Sequence, residues 1–269
     1  MAENLSKNER REAAREQARQ LREAQAKREK RNKMLIIGGL VAFLVLVVVA
    51  VALIVSQGNK SALEGVESPA GADTKGGISL GADLTAGSTN EGAPVVDVYL
   101  DYTCHYCAQF EEINAEDLAA MASEGLITLK LHPVAILDST GDYSGYTSLA
   151  ANAAATVAQY APDKFLDMNN GLFANYTAII EADDAGDTDT VTALYSLDGI
   201  EQVAATAGVP DDVIAKFADG EFLEWVENTT RQFAKDGYTG TPTVIVDGTQ
   251  LDGEWQESGY IRSLIEDGE

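Results

Sequence analysis

Cys104 and Cys107 constrain this chain more than any other feature, because they are its only cysteines and just two residues separate them. Residues 95–100, Val-Val-Asp-Val-Tyr-Leu, precede them with the β-branched and aromatic side chains typical of a strand. Apolar residues then recur at helical spacing from Ala108 to Ala119. A Cys-x-x-Cys motif between strand and helix places the first sulfur at a helix N-terminus, where free N–H groups and the helix dipole stabilise a thiolate. Since the thiolate is the reactive form in thiol–disulfide exchange, the motif predicts a redox centre.

The motif has two other interpretations. A zinc site needs about four Cys or His ligands, and only His105, inside the motif, and His132 remain to complete it. A purely structural disulfide would close so small a loop that it would remove little chain entropy. The redox interpretation is favoured, with no metal and no cofactor.

Charge is distributed unevenly along the 269 residues. Residues 1–33 hold 11 Lys and Arg against 6 Asp and Glu, whereas the rest holds 8 against 37, a net charge of −29. So acidic a body lacks the cationic surface that nucleic-acid binding requires, and no nucleic-acid partner is expected. Residues 1–33 carry few large apolar side chains and predict a charged arm, either an exposed helix or a disordered segment.

Residues 34–55 are 22 consecutive uncharged, mainly apolar residues, long enough to span a bilayer core of roughly 30 Å. The basic cluster before them predicts an N-terminus that stays in the cytoplasm. A cleavable signal peptide is the alternative, but its apolar region and its basic lead are usually shorter. We therefore expect a single-pass cell-membrane anchor with an extracytoplasmic body, where disulfides can persist.

Beyond the anchor, residues 56–76 are rich in Gly, Ala, Ser and acidic residues, which predicts a flexible linker. A short edge strand is expected near residues 77–81, and a further strand over residues 127–131. Several helices follow, and a β-branched strand begins near Thr241. The order from residue 94 is strand, Cys-x-x-Cys helix, strand, helices, strand, turn and helix.

Three features together resemble the thioredoxin superfamily, and more closely its DsbA-like branch. The first is the strand and motif from Val98 to Cys107, and the second is Gly-Thr-Pro-Thr at residues 240–243 before a strand, which is similar to a cis-proline loop. The third is the gap of 135 residues from Cys107 to Pro242, which a helical subdomain fills in that branch. The anchored layout is similar to actinobacterial members.

This resemblance implies a thioredoxin-like α/β fold with an inserted α-helical subdomain, behind a single transmembrane helix. Its first part would cover residues 77–135 and its second part residues 220–269, with the helical insertion at residues 136–219.

The resemblance also implies roles for six residues. Cys104 would be the exposed nucleophile and Cys107 the buried resolving thiol. His105 and Tyr106 would tune the thiolate. Thr241 and Pro242 would face the disulfide and bind the substrate chain.

The sequence departs from the family pattern at two positions. Many relatives have proline after the first cysteine, where this chain has His105, whose positive form would favour a Cys104 thiolate. Thioredoxin and DsbA carry a buried acid six residues before the first cysteine, where this chain has Val98. Asp101 is nearer, but we expect it on the other face or at the strand end. Loss of that acid weakens the case for an efficient reductase.

The leading hypothesis is a membrane-anchored enzyme that introduces disulfides into reduced exported proteins. Reoxidation would require a membrane partner, for which a quinone-linked protein is a candidate. One alternative keeps the fold but reverses the electron flow, as a reductase or isomerase. The other is an anchored peptide-binding or chaperone-like module without redox turnover.

Overall fold

The computed structural model of this chain describes residues 7–58 and 60–267, and these fall into two compact units divided after Lys60. Residues 1–6 of the predicted arm, residue 59 of the predicted linker and residues 268–269 of the predicted second part lie outside the described residues.

The first unit is one long helix, α1, which runs from Lys7 to Gly58 over 52 residues. It contains the described part of the charged arm, where Arg19 pairs with Glu23 one turn away at 3.2 Å. It also contains the predicted transmembrane segment, whose large apolar side chains are exposed from Met34 to Val51. Among the described residues, α1 is the one helix long and apolar enough to cross a membrane on length and composition.

The second unit is built on a five-stranded sheet with β2 (Val95–Leu100) in the centre. β2 lies parallel to β3 (Thr128–Pro133) and antiparallel to β4 (Thr243–Val246). β1 (Ile78–Leu80) and β5 (Thr249–Gln250) form the two edges, antiparallel to β3 and β4 respectively. Because β2 and β3 are parallel, the chain must cross between them, and the helix after Cys104 makes that connection.

That connecting helix is α2 (His105–Ser123), which buries Phe110, Leu118 and Met121. The remaining helices follow in chain order: α3 (Tyr146–Tyr160), α4 (Phe165–Asp184), α5 (Thr188–Leu194), α6 (Leu197–Thr206), α7 (Asp211–Ile214), α8 (Leu223–Lys235) and α9 (Tyr260–Asp267). The eight helices α2 to α9, with a sheet of mixed direction, confirm the predicted α/β fold class for the described residues of this unit, and α3 to α7 lie in the stretch between β3 and α8.

The helices between the strands pack around α3, an alanine-rich helix with twelve buried residues. Small side chains let neighbouring helices approach closely, and one buried amide fixes their positions. Asn152 of α3 donates a hydrogen bond to the Phe217 carbonyl at 3.1 Å and accepts one from the Phe222 amide at 2.9 Å. Both ends of the Asn152 amide are thus satisfied inside the core, as a buried polar group requires.

The flexible linker predicted over residues 56–76 does not extend that far, because residues 61–76 pack on the body. Leu63 is buried in its hydrophobic core. The Ala62 amide donates to Gln232 Oε1 of α8 at 2.8 Å, and Lys130 Nζ of β3 lies 2.9 Å from Asp73 Oδ2. Composition alone misses these contacts, since a glycine-rich segment has no periodic pattern that would indicate burial.

Candidate active site

Cys104 lies at the junction between β2 and α2, where it is the N-cap of the helix. The Cys107 amide donates a hydrogen bond to Cys104 Sγ across 3.3 Å, within the range for a sulfur acceptor. The four first amides of a helix have no partner within the helix, so a capping thiolate satisfies one of them and meets the positive end of the dipole. The local position expected from the sequence is therefore the observed one.

Both thiols are free and both are largely covered. Cys104 is 5% exposed and Cys107 is 1% exposed. The resemblance implies an exposed Cys104, yet here its sulfur donates a hydrogen bond to the Thr241 carbonyl at 3.1 Å, which covers it. Any group that reacts with the sulfur would have to displace this contact.

The two thiols differ strongly in acidity. A hydrogen bond from the Cys107 thiol, helped by the Thr241 side chain and the Cys107 amide, lowers the pKa of Cys104 to about 7, although burial and the charge of Asp101 oppose it. Burial first, and the neighbouring Cys104 second, raise the pKa of Cys107 well above its usual value. Cys104 is consequently the sulfur that ionises near neutral pH, as a nucleophile or leaving group does.

The loop before β4 faces the cysteines, and its Thr241–Pro242 peptide bond is cis. Thr243 Oγ1 donates to the Gly240 carbonyl at 2.7 Å and holds the loop closed. Next to the loop lies an open groove of about 360 Å³, and the residues that line it include Tyr106, Tyr238, Thr241, Pro242, Gln250 and Trp255. The fold thus brings Thr241 and Pro242, predicted to bind substrate, to the sulfurs and to a groove.

His105 and Tyr106 are both exposed, and their rings meet edge to face at 5.9 Å. Within the described part of the chain, His105 makes no hydrogen bond to either cysteine. Its side chain instead lines a small cleft between α2 and α4 with Glu112 and Glu181. Tyr106, with 57% of its surface exposed, borders the groove beside the cis-proline loop. Among the described residues, no hydrogen bond from His105 to either cysteine supports the tuning role expected for it.

The second histidine lies elsewhere. His132 is fully buried on β3, its Nε2 lies 2.8 Å from Asp97 Oδ1, and its ring stacks on Tyr99 at 4.0 Å. Among residues 7–58 and 60–267, no group of three or more His, Cys, Asp or Glu is placed to hold a metal ion.

The sequence assigns no functional role to two carboxylates near the site, although Asp101 lies at the strand end, one of the two positions expected for it. Asp101, directly after β2, is fully buried, and burial raises its pKa. Glu111 of α2 is half-buried, and burial raises its pKa to about 7 against a hydrogen bond from Asn169 Nδ2 at 3.2 Å. Asn169 Oδ1 in turn accepts from the hydroxyl of buried Tyr102 at 3.1 Å.

Val98 is buried in the middle of β2, opposite Leu131 and Val244, so an apolar side chain occupies the position of the family's acid. A signal for Asp101 exists in the sequence, because an Asp two residues before a Thr at a strand end favours a side-chain-closed turn. Glu111 has no such signal, since its burial depends on α4.

A dithiol whose first sulfur caps a helix, facing a cis-proline loop at the edge of a mixed sheet, defines the class of thioredoxin-fold redox proteins. The model of the family described as thioredoxin matches residues 81–267, and the chain belongs to this family. No curated protein matches the sequence.

Solved structures with this fold include MdbA, a thiol-disulfide oxidoreductase from Actinomyces oris, at 25% identity and a TM-score of 0.63. That match covers 79% of this chain and 98% of that one. MdbA from Corynebacterium diphtheriae has 23% identity and a TM-score of 0.56, covering 78% of this chain and 100% of its own. The disulfide bond oxidoreductase DsbG from Mycobacterium tuberculosis has 23% identity and a TM-score of 0.55, covering 77% and 91%. The last two show the fold alone.

Proposed function

We propose that this protein is a membrane-anchored, extracytoplasmic thiol:disulfide oxidoreductase that introduces disulfides into exported proteins through Cys104 and Cys107. The observation that carries the proposal is the opposite perturbation of two adjacent thiols, which lowers the pKa of Cys104 to about 7 and raises that of Cys107. The named activity of the Actinomyces oris structure, at 25% identity, supports the same reaction class.

The reaction begins with the oxidised Cys104–Cys107 pair. A substrate thiolate attacks Cys104 Sγ, the Cys104–Cys107 bond breaks, and Cys107 leaves with the electron pair and takes up a proton, as its raised pKa favours. A second substrate thiolate then attacks the substrate sulfur of the mixed disulfide, and Cys104 leaves as a thiolate. The substrate loses two electrons and two protons and gains a disulfide, while the enzyme is left reduced.

The residues around the two cysteines each contribute to the proposed reaction. The helix N-terminus and the Cys107 thiol stabilise the departing Cys104 thiolate, which favours oxidation of the substrate. Thr241 presents its carbonyl beside the sulfur, where an extended substrate backbone would replace the present hydrogen bond. The groove bordered by Tyr106 and Pro242 would accept the residues that flank the substrate cysteine.

The anchor fits the same role. The basic residues that precede the apolar part of α1 predict a cytoplasmic N-terminus, which places Cys104 and Cys107 outside the cytoplasm with their reduced substrates. Reoxidation requires a membrane partner that removes two electrons per cycle, such as a quinone-linked protein.

The reductase is the second candidate, and one observation favours it: the buried charge of Asp101 opposes the Cys104 thiolate. Equilibration of the purified protein with glutathione buffers decides between the two candidates. A reduction potential of about −120 to −180 mV supports the oxidase, whereas a value near about −270 mV supports the reductase. Failure to cycle between dithiol and disulfide would leave only a binding module.

A further inference from the structure

Among the described residues, Asp101 is the one fully buried carboxylate, and it takes no direct part in the proposed thiol–disulfide exchange. It follows β2 directly and precedes Cys104 by three residues. The family's own acid position holds Val98, so Asp101 approaches the cysteines from a different point on the chain.

The Asp101 side chain fixes the turn that ends at Cys104. The Cys104 amide donates to the Asp101 carbonyl at 3.0 Å, which closes a four-residue turn. Asp101 Oδ1 accepts a hydrogen bond from the Thr103 amide at 2.9 Å and from the Thr103 hydroxyl at 2.8 Å. Because Cys104 is the N-cap of α2, this turn sets the direction in which its sulfur meets the helix.

Two further bonds connect the same carboxylate to the helical region. Thr147 Oγ1 of α3 donates to Asp101 Oδ1 at 2.7 Å, and the Leu137 amide donates to Asp101 Oδ2 at 2.9 Å. Both carboxylate oxygens therefore accept from backbone N–H groups, which cannot act as acceptors, and these bonds favour the ionised form against the larger effect of burial, which raises the Asp101 pKa. Within the described residues, no Lys, Arg or His forms an ion pair with Asp101.

An unpaired buried charge acts on its neighbours over several ångströms, since little water screens it. The groups it affects belong to each element packed around it. They are Tyr102 next to it in the chain, Cys104 at the start of α2, Tyr176 of α4 and Tyr195 after α5. The charge of Asp101 contributes to raising the pKa of all four. Cys107 completes the set, with a hydrogen bond from the Asp101 backbone that lowers its pKa against a larger effect of burial.

Resting on the proposed function, we propose that Asp101 is a positioning residue that holds Cys104 at the N-cap of α2 and whose buried charge limits how oxidising the Cys104–Cys107 pair is. It links the helical region, through Thr147, to the redox loop. Its charge keeps the pair less oxidising than the helix N-terminus and the Cys107 thiol alone would make it.

The test removes the charge and measures the ionisation of Cys104 in the full-length protein in detergent. Asp101→Asn should lower the Cys104 pKa by about one unit, a tenfold change in its ionisation constant. At pH 7 the pair should then become about fivefold easier to reduce, ~20 mV in reduction potential. Asp101→Ser, which keeps an acceptor for the Thr103 amide, should shift both quantities in the same direction.

Two other variants separate charge from geometry. Thr147→Val deletes one bond but keeps the charge, so it should lower the free energy of unfolding while moving the Cys104 pKa less than Asp101→Asn does. Asp73→Asn is a matched control, because it removes a half-buried carboxylate that bonds Lys130 and the Gly77 amide instead of the redox loop. It should leave the Cys104 pKa unchanged.

A folded Asp101→Asn protein with an unchanged Cys104 pKa and an unchanged reduction potential overturns the proposal. If neither Asp101 variant folds, wild-type protein labelled with ¹³C-aspartate provides the test, since the Asp101 carboxyl signal should follow the titration of Cys104 in the reduced protein only. An Asp101 carboxyl signal that does not change as Cys104 titrates would also overturn the proposal. A wild-type potential near that of thioredoxin would instead refute the proposed oxidase and leave the effect of Asp101 standing.

Discussion

Cys104 Sγ donates a hydrogen bond to the Thr241 carbonyl oxygen at 3.1 Å, although 137 residues separate the two in the chain. The helix that presents the sulfur and the loop that covers it belong to neighbouring strands, because β2 pairs directly with β4. The proposed redox centre thus consists of two loops at the same end of two adjacent strands. One loop supplies the Cys104 sulfur, and the other supplies the Thr241 carbonyl that covers it.

The Thr241 side chain should make Cys104 more acidic. It lowers the pKa of Cys104 and of Cys107, and its buried hydroxyl has no hydrogen-bond partner among the described residues that would hold it away from the sulfurs. Thr241→Val should raise the Cys104 pKa by about 0.5–1 unit. The ultraviolet absorbance of the thiolate, followed against pH, measures the change. Thr241→Ser keeps the hydroxyl and should stay close to wild type, and equal values for Val and Ser would contradict this role.

Replacement of Cys107 by Ser should trap mixed disulfides with exported proteins that already hold a disulfide, because the Cys104 thiolate attacks that bond and one substrate sulfur leaves as a thiolate. Without the resolving thiol, the adduct between Cys104 and substrate cannot be released from the enzyme side. Non-reducing electrophoresis of the membrane fraction should show slower bands that vanish with reductant. Cys104→Ser provides the matched control and should form no such bands, since Cys107 is 1% exposed and less acidic. Similar adducts through Cys107 would refute the assigned roles.

The rate at which reduced protein reacts with iodoacetamide should rise with pH around a midpoint of about 7, the Cys104 pKa. The reduced protein should also gain stability relative to the oxidised form between pH about 7 and about 9. Stability rises with pH in this window because the pKa of Cys104 in the folded protein lies below its ordinary value of 9.0, so the folded state loses the proton first. Below a pH of about 7 both states keep the proton and the gain disappears. Unfolding in urea of both redox forms at pH 6 and pH 8.5 measures it. A reduced-minus-oxidised difference that does not change with pH would count against a thiolate at Cys104.

Glu111 should destabilise the protein as pH rises. Burial raises its pKa from 4.5 to about 7, so the folded state binds a proton more tightly than the unfolded state, and stability falls between those values. Glu111→Gln keeps an acceptor for Asn169 and should raise the free energy of unfolding at pH 8 by about 1–3 kcal/mol. At pH 4 the two proteins should be similar. Urea unfolding at both pH values gives the comparison, and exposed Glu112→Gln is the control.

Residues 61–76 should contribute to the stability of the body. Leu63, 6% exposed in the core, should cost about 2–4 kcal/mol when replaced by Ala. A fragment of residues 61–269 should therefore unfold at higher temperature than a fragment of residues 77–269. Equal melting temperatures would show that the segment packs without adding stability. Glu64→Ala, at an exposed neighbour, tests whether any change in the segment has the same effect.

Much of this protein follows from local sequence. The apolar length of residues 34–55, the strand–Cys-x-x-Cys–helix order and the Thr-Pro before β4 are short-range signals, because hydrophobic runs, propensities and turn chemistry act within a few residues. They were sufficient for the fold class and for the prediction that Cys104 and Cys107 form a redox centre.

Tertiary structure decided what depends on burial and on distant partners. A sequence cannot show that residues 61–76 pack on α8, or that Thr241 covers Cys104, since those contacts join segments more than 100 residues apart. It also cannot assign the acidity of a side chain, because desolvation and nearby charge depend on what surrounds it. The charge proposed to act on the two cysteines lies at Asp101, whose carboxylate accepts hydrogen bonds from the Thr103 amide and from Thr147 of α3. Only the folded chain shows that this side chain is buried beside the cysteines.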